Sequence, residues 1–162
     1  KIDATDIKIL NILQRDGRIT NSALSKEIDM SAPPTLERVK KLEKNSVIKK
    51  FVALVNPSTL GIGTHTFVEV TLRGHTKENV TSFIEAARNM DEIMECHHVT
   101  GDADFLLKIA VKDIPAYEEL VLHKLTTLPH VSNLKTMVVL STFKDETAYN
   151  LEGVNDGNKN GS

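Results

Sequence analysis

The stretch TNSALSKEIDMSAPPTLERVKKLEK, residues 20–44, constrains the fold more than any other part of the chain. Its punctuation predicts two short helices joined by a tight turn. Thr20 can cap a first helix running to about Ile28, with Leu24 and Ile28 as its inward i, i+4 pair. Asp29 and Met30 make the turn, and Ser31 is a good N-cap for the next helix. Pro33 and Pro34 then fall in that helix's first turn, where a missing N–H costs little. At 100° per residue, Thr35, Val39 and Leu42 share one face. Pro33, Glu37, Lys40, Lys41 and Lys44 share the opposite one, with Arg38 at the seam. An apolar back and a cationic front suit a helix that lies in a DNA major groove. Charged residues on a surface helix are also commonly just solvated, so the wheel by itself leaves both readings open.

The charge distribution favours the first. Residues 1–50 hold 11 Lys+Arg against 7 Asp+Glu, a balance of +4, whereas residues 51–162 hold 9 against 15, a balance of −6. A near-neutral whole, −2 at pH 7, therefore hides a basic head on an acidic body, and affinity for a polyanion belongs to the head.

The head opens with DATDIKILNILQRDGR, in which Ile2, Ile7, Ile9, Leu10, Ile12 and Leu13 cover a wide arc of one helix, stopped by Gly17. Three helices in about 45 residues make a small, marginal core. The segment VIKKFVALVNP, 47–57, is rich in β-branched residues and reads as a strand or wing leading into a linker. NPSTLGIG, 56–63, is the expected boundary.

Beyond it the periodicity changes. Thr64–Arg73 alternates Phe67, Glu69 and Thr71 against Val68, Val70 and Leu72, as a strand would. Lys77–Arg88 places Val80, Phe83, Ile84 and Ala87 at helical spacing. Strands are expected at Ile93–Val99 and Phe105–Val111, a helix at Ile114–Leu128, and a long last strand at Val131–Phe143. This βαββαβ order predicts a ferredoxin-like antiparallel sheet with both helices on one face. The other face needs a cover, so a homodimer is expected. The fold class is thus α+β, a winged helix-turn-helix followed by a ferredoxin-like αβ-sandwich domain. The expected domains are 1–50, a linker at 51–63, the body at 64–149, and a polar disordered tail at 150–162.

Other functions find little footing. The chain holds no run of about 18 apolar residues, so no membrane span is expected. The lone Cys96 excludes an internal disulfide and suits a reducing cytoplasm, and its strand-like setting reads as a buried inert thiol rather than a nucleophile. His97 and His98 are adjacent and point to opposite faces of a strand, while His65, His75, His123 and His130 show no ligand spacing, so no metal site is expected. No nucleophile elbow, phosphate loop or HExxH motif is present, and neither a catalytic residue nor a cofactor is nominated. Two alternatives stay open: a catalytic body tethered to a basic head, and an architectural DNA-wrapping protein without an effector.

The chain resembles the Lrp/AsnC ("feast/famine") family of regulators over about residues 2–149. The resemblance rests on Asp3, Asp6, Ile9, Leu10, Leu13, Gln14, Asp16, Gly17 and Arg18; on L-S-x-x-[IV] at 24–28; and on Ser31 with Pro34. It extends through Arg38-Val39-Lys40-Lys41-Leu42-Glu43, Val47-Ile48, Asn56-Pro57 and the T-G-D-x-D hairpin at 100–104. Ala32 stands where the family often has proline, and Asp29 where the turn is often glycine. The resemblance implies an N-terminal domain that binds double-stranded DNA and a C-terminal domain that dimerises and senses an amino acid. It further implies assembly of dimers to a higher oligomer, commonly an octamer. The expected DNA-binding residues are Ser31, Pro33, Pro34, Thr35 (if partly exposed), Glu37, Arg38, Lys40, Lys41 and Lys44. Of these, Pro33, Thr35, Glu37 and Lys41 are set nearest base edges, and Arg38 and Lys44 nearer phosphates.

Effector binding also has a chemical argument. A free amino acid needs an anion for its ammonium, donors for its carboxylate and an apolar slot. Asp102 and Asp104 offer the anion, Asp104 being the first choice, and Gly101 allows close backbone approach. The same residues would serve a plain hairpin turn equally well. The resemblance, which sets the effector near this loop between dimers, favours the site. It also points to Thr136, Met137, Val138 and Val139 on the last strand, for each of which an ordinary sheet role stays open.

Overall fold

The structure, a computed structural model, describes residues 1–154. It divides into two compact units: Lys1–Leu54 with the described chain from Lys144 onward, and Val55–Phe143.

Local capping builds the first unit. Helix α1 (Ala4–Leu13) starts on a reciprocal box in which Asp3 Oδ1 accepts from the Asp6 amide at 2.8 Å and Asp6 Oδ2 from the Asp3 amide at 3.2 Å. Helix α2 (Asn21–Glu27) is capped by Thr20, whose hydroxyl accepts from Ala23 N at 3.1 Å. Asp29 takes a left-handed φ of 56° to make the turn, a conformation aspartate tolerates better than most residues. Helix α3 (Ala32–Lys44) follows from Ser31. Ile9, Leu10, Leu24, Ile28 and Leu42 form the core between the three. Helix α1 ends at Leu13, earlier than a glycine stop at Gly17 implies. A Cβ on Gly17 would sit 3.3 Å from the Phe51 ring, so this glycine serves close packing rather than capping.

Two expectations change here. The strand or wing foreseen over 47–57 forms no ladder among the described residues, and Phe51, Val52, Leu54 and Val55 are exposed. A strand gains its hydrogen bonds only beside another strand. Residues 150–154, foreseen as the start of a disordered tail, instead return to the head. Gln14 Nε2 donates to the Tyr149 carbonyl at 3.1 Å, Tyr149 N donates to Gln14 Oε1 at 2.6 Å, and half-buried Leu151 packs on the helical core. The rest of the expected tail, 155–162, lies outside the described residues.

The second unit holds β1 (Thr64–Leu72), α4 (Lys77–Arg88), β2 (Ile93–His98), β3 (Phe105–Val111), α5 (Ile114–His123) and β4 (Val131–Val138). The sheet runs β2-β3-β1-β4 with every neighbour antiparallel. Alternation decides its faces. Val68, Val70 and Leu72 of β1 and Phe105, Leu107, Ile109 and Val111 of β3 are buried in one cluster with Phe83 and Ala87 of α4 and Tyr117 and Leu120 of α5, and Thr66 of β1 is buried on the same face. The rings of Phe83 and Phe105 lie 4.6 Å apart at its centre. The opposite face, carrying His65, Phe67, Glu69, Thr71, Leu106 and Lys108, stays half-open. Helix α5 is shorter than its apolar stripe suggested. Lys124 leaves helical geometry, and a 3₁₀ turn over Leu125–Thr127 carries Leu125 into the core. Strand β4 stops at Val138 rather than 143, leaving Leu140 and Phe143 almost fully exposed.

Candidate nucleic-acid interface and effector loop

Helix α3 shows the division of faces its sequence implies. Leu42 is buried and Val39 half-buried, while Ser31, Pro33, Pro34, Glu37, Lys40, Lys41 and Lys44 are exposed. Asn21 Nδ2 donates to the Ala32 carbonyl at 2.8 Å and ties the start of α3 to α2. Lys40, Lys41 and Lys44 make no ion pair among the described residues, so three uncompensated positive charges line one side of α3. They can meet phosphate oxygens without first breaking a salt bridge.

Two nominated residues have other work. Thr35 is fully buried, and its hydroxyl donates to the Ser31 carbonyl at 2.9 Å, so it reaches no base edge. Its place on the wheel with Val39 and Leu42 was the signal against it. Arg38 Nη1 lies 2.9 and 2.8 Å from the two Asp3 oxygens and 3.1 Å from Asp6 Oδ1. The Arg38 guanidinium, bonded to Asp3, holds that carboxyl below the usual aspartate range, and Asp3 in turn raises Arg38. Arg38 therefore does not stand free toward solvent as Lys44 does.

The 100–104 hairpin is built by glycine and aspartate. Gly101 takes φ 110°, which side-chain-bearing residues rarely adopt, and its missing Cβ would face open space. Val99 N donates to the Asp104 carbonyl at 3.0 Å, and Asp104 N donates to the Val70 carbonyl at 2.9 Å. The Asp104 carboxylate is committed within the chain. Oδ2 accepts from the Leu72 amide at 2.8 Å, and Oδ1 lies 2.9 Å from His75 Nε2. The Leu72 amide, then the His75 ring, hold its carboxyl below the usual aspartate range. Asp104 is thus a clamp between the start of β3 and the end of β1. Asp102 is exposed and has no hydrogen-bond or ion-pair partner among the described residues, so it, not Asp104, is the free anion of the loop.

Residues 136–139 are not gathered at this loop in one chain. Thr136 pairs with Val68 and Val138 with Thr66, whereas the hairpin adjoins the Val70–Leu72 end of β1. Leu72 and Val68 are four residues apart, about 13 Å along a strand. The four also divide between faces. The Thr136 hydroxyl bonds Tyr117 Oη on the helix side, while Met137 stands opposite Phe67 on the open face. His75 and Tyr117, which bind nominated residues, escaped sequence reasoning because nothing local marks a contact 29 or 19 residues away.

Among the described residues no group of three His, Cys, Asp or Glu side chains comes together as a metal ion needs, and no helix is long and apolar enough to cross a membrane. Burial pushes the Cys96 thiol up, away from the reactive thiolate.

Comparison with known proteins gives both units a kinship. Residues 2–49 match a winged helix-turn-helix DNA-binding family, and residues 65–149 match the Lrp/AsnC ligand binding domain. Leucine-responsive regulatory proteins of Klebsiella pneumoniae and of Escherichia coli strain K12 are each 43% identical to this chain over 143 residues, 88% of it and 87% of theirs. A transcriptional regulator of Neisseria meningitidis, solved in complex with L-methionine, superposes with a TM-score of 0.90 at 32% identity. That match covers 95% of this chain and 99% of the other. An AsnC family regulator of Agrobacterium tumefaciens superposes with a TM-score of 0.88 at 29% identity, covering 93% of this chain and 97% of that one. With its capped helix-turn-helix, its ferredoxin-like body and these relatives, the chain belongs to the Lrp/AsnC family of DNA-binding transcriptional regulators.

Proposed function

We propose that α3 enters the major groove of double-stranded DNA and that a free amino acid, bound near the 100–104 hairpin between copies of the chain, controls how those copies assemble on it. The observation that carries the DNA half is the exposed row of unpaired Lys40, Lys41 and Lys44 opposite the buried Thr35 and Leu42. In this reading Lys44 meets phosphate, Pro33, Glu37 and Lys41 face base edges, and Ser31, Pro34 and Lys40 border the contact. The chain works in the cytoplasm, where its DNA is, and as a regulator rather than an enzyme.

Assembly is required for the second half. The half-open sheet face calls for a second copy, and two recognition helices in a dimer favour a pseudo-palindromic site with half-sites about one DNA turn apart, or a multiple of it. Dimers associate further, to an octamer. The separation of the hairpin from residues 136–139 within one chain supports a pocket assembled from several copies. Asp102 is the proposed ammonium partner and Gly101 the close backbone contact, with Asp104 holding the loop. Met137 and Val139 supply apolar wall from another copy, while Thr136 and Val138 act through the strand. The L-methionine bound to the Neisseria relative supports an effector with a modest apolar side chain.

The test is a thermal-shift screen of the twenty amino acids followed by operator titration and sedimentation with and without the best stabiliser. A true effector at 100 times its Kd stabilises by roughly 2.7 kcal/mol. Asp102→Asn is expected to weaken the ligand response while leaving ligand-free DNA binding intact. A chain that is monomeric at micromolar concentration, or whose sedimentation and operator affinity ignore every amino acid, refutes the proposal.

A further inference from the structure

Arg38 is the one cation of the exposed α3 surface that does not face DNA with its charge free. Its Nη1 lies within 3.1 Å of three carboxylate oxygens, two from Asp3 and one from Asp6. Both partners are carboxylates, so the Arg38 charge is already compensated within the chain and is not free for a phosphate. Asp3 is meanwhile fixed by a second duty, because its Oδ1 caps α1 by accepting from the Asp6 amide. A rigid, capped helix start therefore grips the side of α3.

The grip matters because the rest of the seat of α3 is narrow, with Val39 only half-buried and one hydrogen bond, from Asn21 to the Ala32 carbonyl, tying its start to α2. Only Thr35 and Leu42 of its thirteen residues are buried, both on one line of the helix. A helix seated on so narrow a stripe resists sliding better than it resists rolling about its own axis. Arg38, at the edge of that stripe, stands where a roll would be stopped. A roll of 10–20° is enough to take a base-edge contact out of alignment, whereas a lysine reaching for phosphate through a flexible stem tolerates it.

We propose that Arg38 is a positioning residue that sets the rotation of the recognition helix against α1, so that discrimination between DNA sequences depends on the Asp3–Arg38–Asp6 triad while backbone affinity does not. The proposal rests on the reading of α3 as the DNA-binding helix. Sequence alone placed Arg38 among the phosphate contacts, and the triad reverses that role.

The two roles predict opposite results for Asp3→Asn. Asparagine caps a helix as well as aspartate does, so α1 keeps its start while the triad loses a charge. The full chain and its Asp3→Asn, Arg38→Ala and Lys44→Ala variants are titrated, over a range of salt, against a duplex selected from a random pool by the wild type and against a random duplex. All titrations are made at a temperature where circular dichroism shows each variant folded. Asp3→Asn and Arg38→Ala are expected to lower the selected-to-random affinity ratio about tenfold, the size of one lost base-pair preference, with random-duplex affinity and salt slope unchanged. Lys44→Ala is the reference for a phosphate contact, lowering the slope magnitude by about 0.9 and leaving the ratio alone. Tighter binding of all DNA by Asp3→Asn, a slope reduced in Arg38→Ala, or an unchanged ratio in both overturns the proposal. A wild type that selects no duplex at all instead refutes the assignment of α3 to DNA.

Discussion

A chain ending after Phe143 should lose stability in the opposite end of the sequence. The head is completed by residues 144–154, and its own buried apolar core is only Ile9, Leu10, Leu24, Ile28 and Leu42. The strap contributes two kinds of contact. Leu151 is half-buried against that core, and burying half of a leucine side chain is worth about 1 kcal/mol. Gln14 and Tyr149 exchange two hydrogen bonds at 3.1 and 2.6 Å, and exposed bonds of this kind contribute about 0.5 kcal/mol each. The sum is about 2 kcal/mol. In a unit of this size 1 kcal/mol moves a melting midpoint by about 4–8 °C, so the head transition should fall by about 8–16 °C. The body, whose core contains none of these residues, should melt where it did. Calorimetry resolves the two transitions, and amide exchange locates the loss in α1. Gln14→Ala should give about half the shift. Wild-type protection of the α1 amides in the shortened chain, or a fall confined to the body, would refute the reasoning.

The remaining predictions concern single side chains. Asp104→Ala, which orphans the Leu72 amide and frees His75, should destabilise the body by about 1.5–3 kcal/mol at neutral pH. Because folding holds the Asp104 carboxyl below its ordinary value, its contribution is present above that value and is lost as pH falls through the lowered one. Urea unfolding at neutral and at strongly acidic pH should therefore show wild type and variant converging in acid, and a constant gap would count against the clamp. On α3, Lys44→Ala should weaken binding to every duplex alike and lower the salt slope by about 0.9, whereas Glu37→Ala should alter which sequences are preferred. Equal losses on all sequences for both variants would show the roles to be wrongly divided.

What the sequence disclosed and what it withheld follow from the range of each interaction. The cap at Thr20, the start of α3 after Ser31 (whose side chain makes no capping bond), the two-residue turn and the alternation along β1 are local, so a window of ten residues contains their cause. The βαββαβ order follows from such windows taken in sequence. The ends of elements were less legible. Helix α5 stops early because Leu125 is drawn into the core, and β4 stops at Val138, close to where its neighbour β1 begins at Thr64. The site suffered most, since its pairings span long loops. Asp3 and Arg38 are 35 residues apart, Asp104 and Leu72 are 32, and Gln14 and Tyr149 are 135. A charged residue on a helical wheel looks free until its distant partner is known. For that reason the sequence makes Arg38 and Asp104 look like partners of other molecules rather than of this one.

The commitment of Asp104 also bears on how a switch could work here. Its carboxylate joins β1 to β3 and holds His75, while Asp102, two residues earlier, carries no such bond. One carboxylate fixes the loop and the other stays free for the proposed ligand, so in that reading the cost of ordering the loop is met by folding rather than by binding. A loop already held in place has little further to move when the proposed effector arrives. The ligand's leverage must then lie in a difference between assemblies, because only differential affinity for two states shifts the balance between them. Loosening the clamp with Asp104→Asn should accordingly weaken effector affinity through a floppier loop, yet leave the ratio of affinities between assembly states nearly unchanged. Asp102→Asn, which removes the proposed ammonium contact, should reduce that ratio.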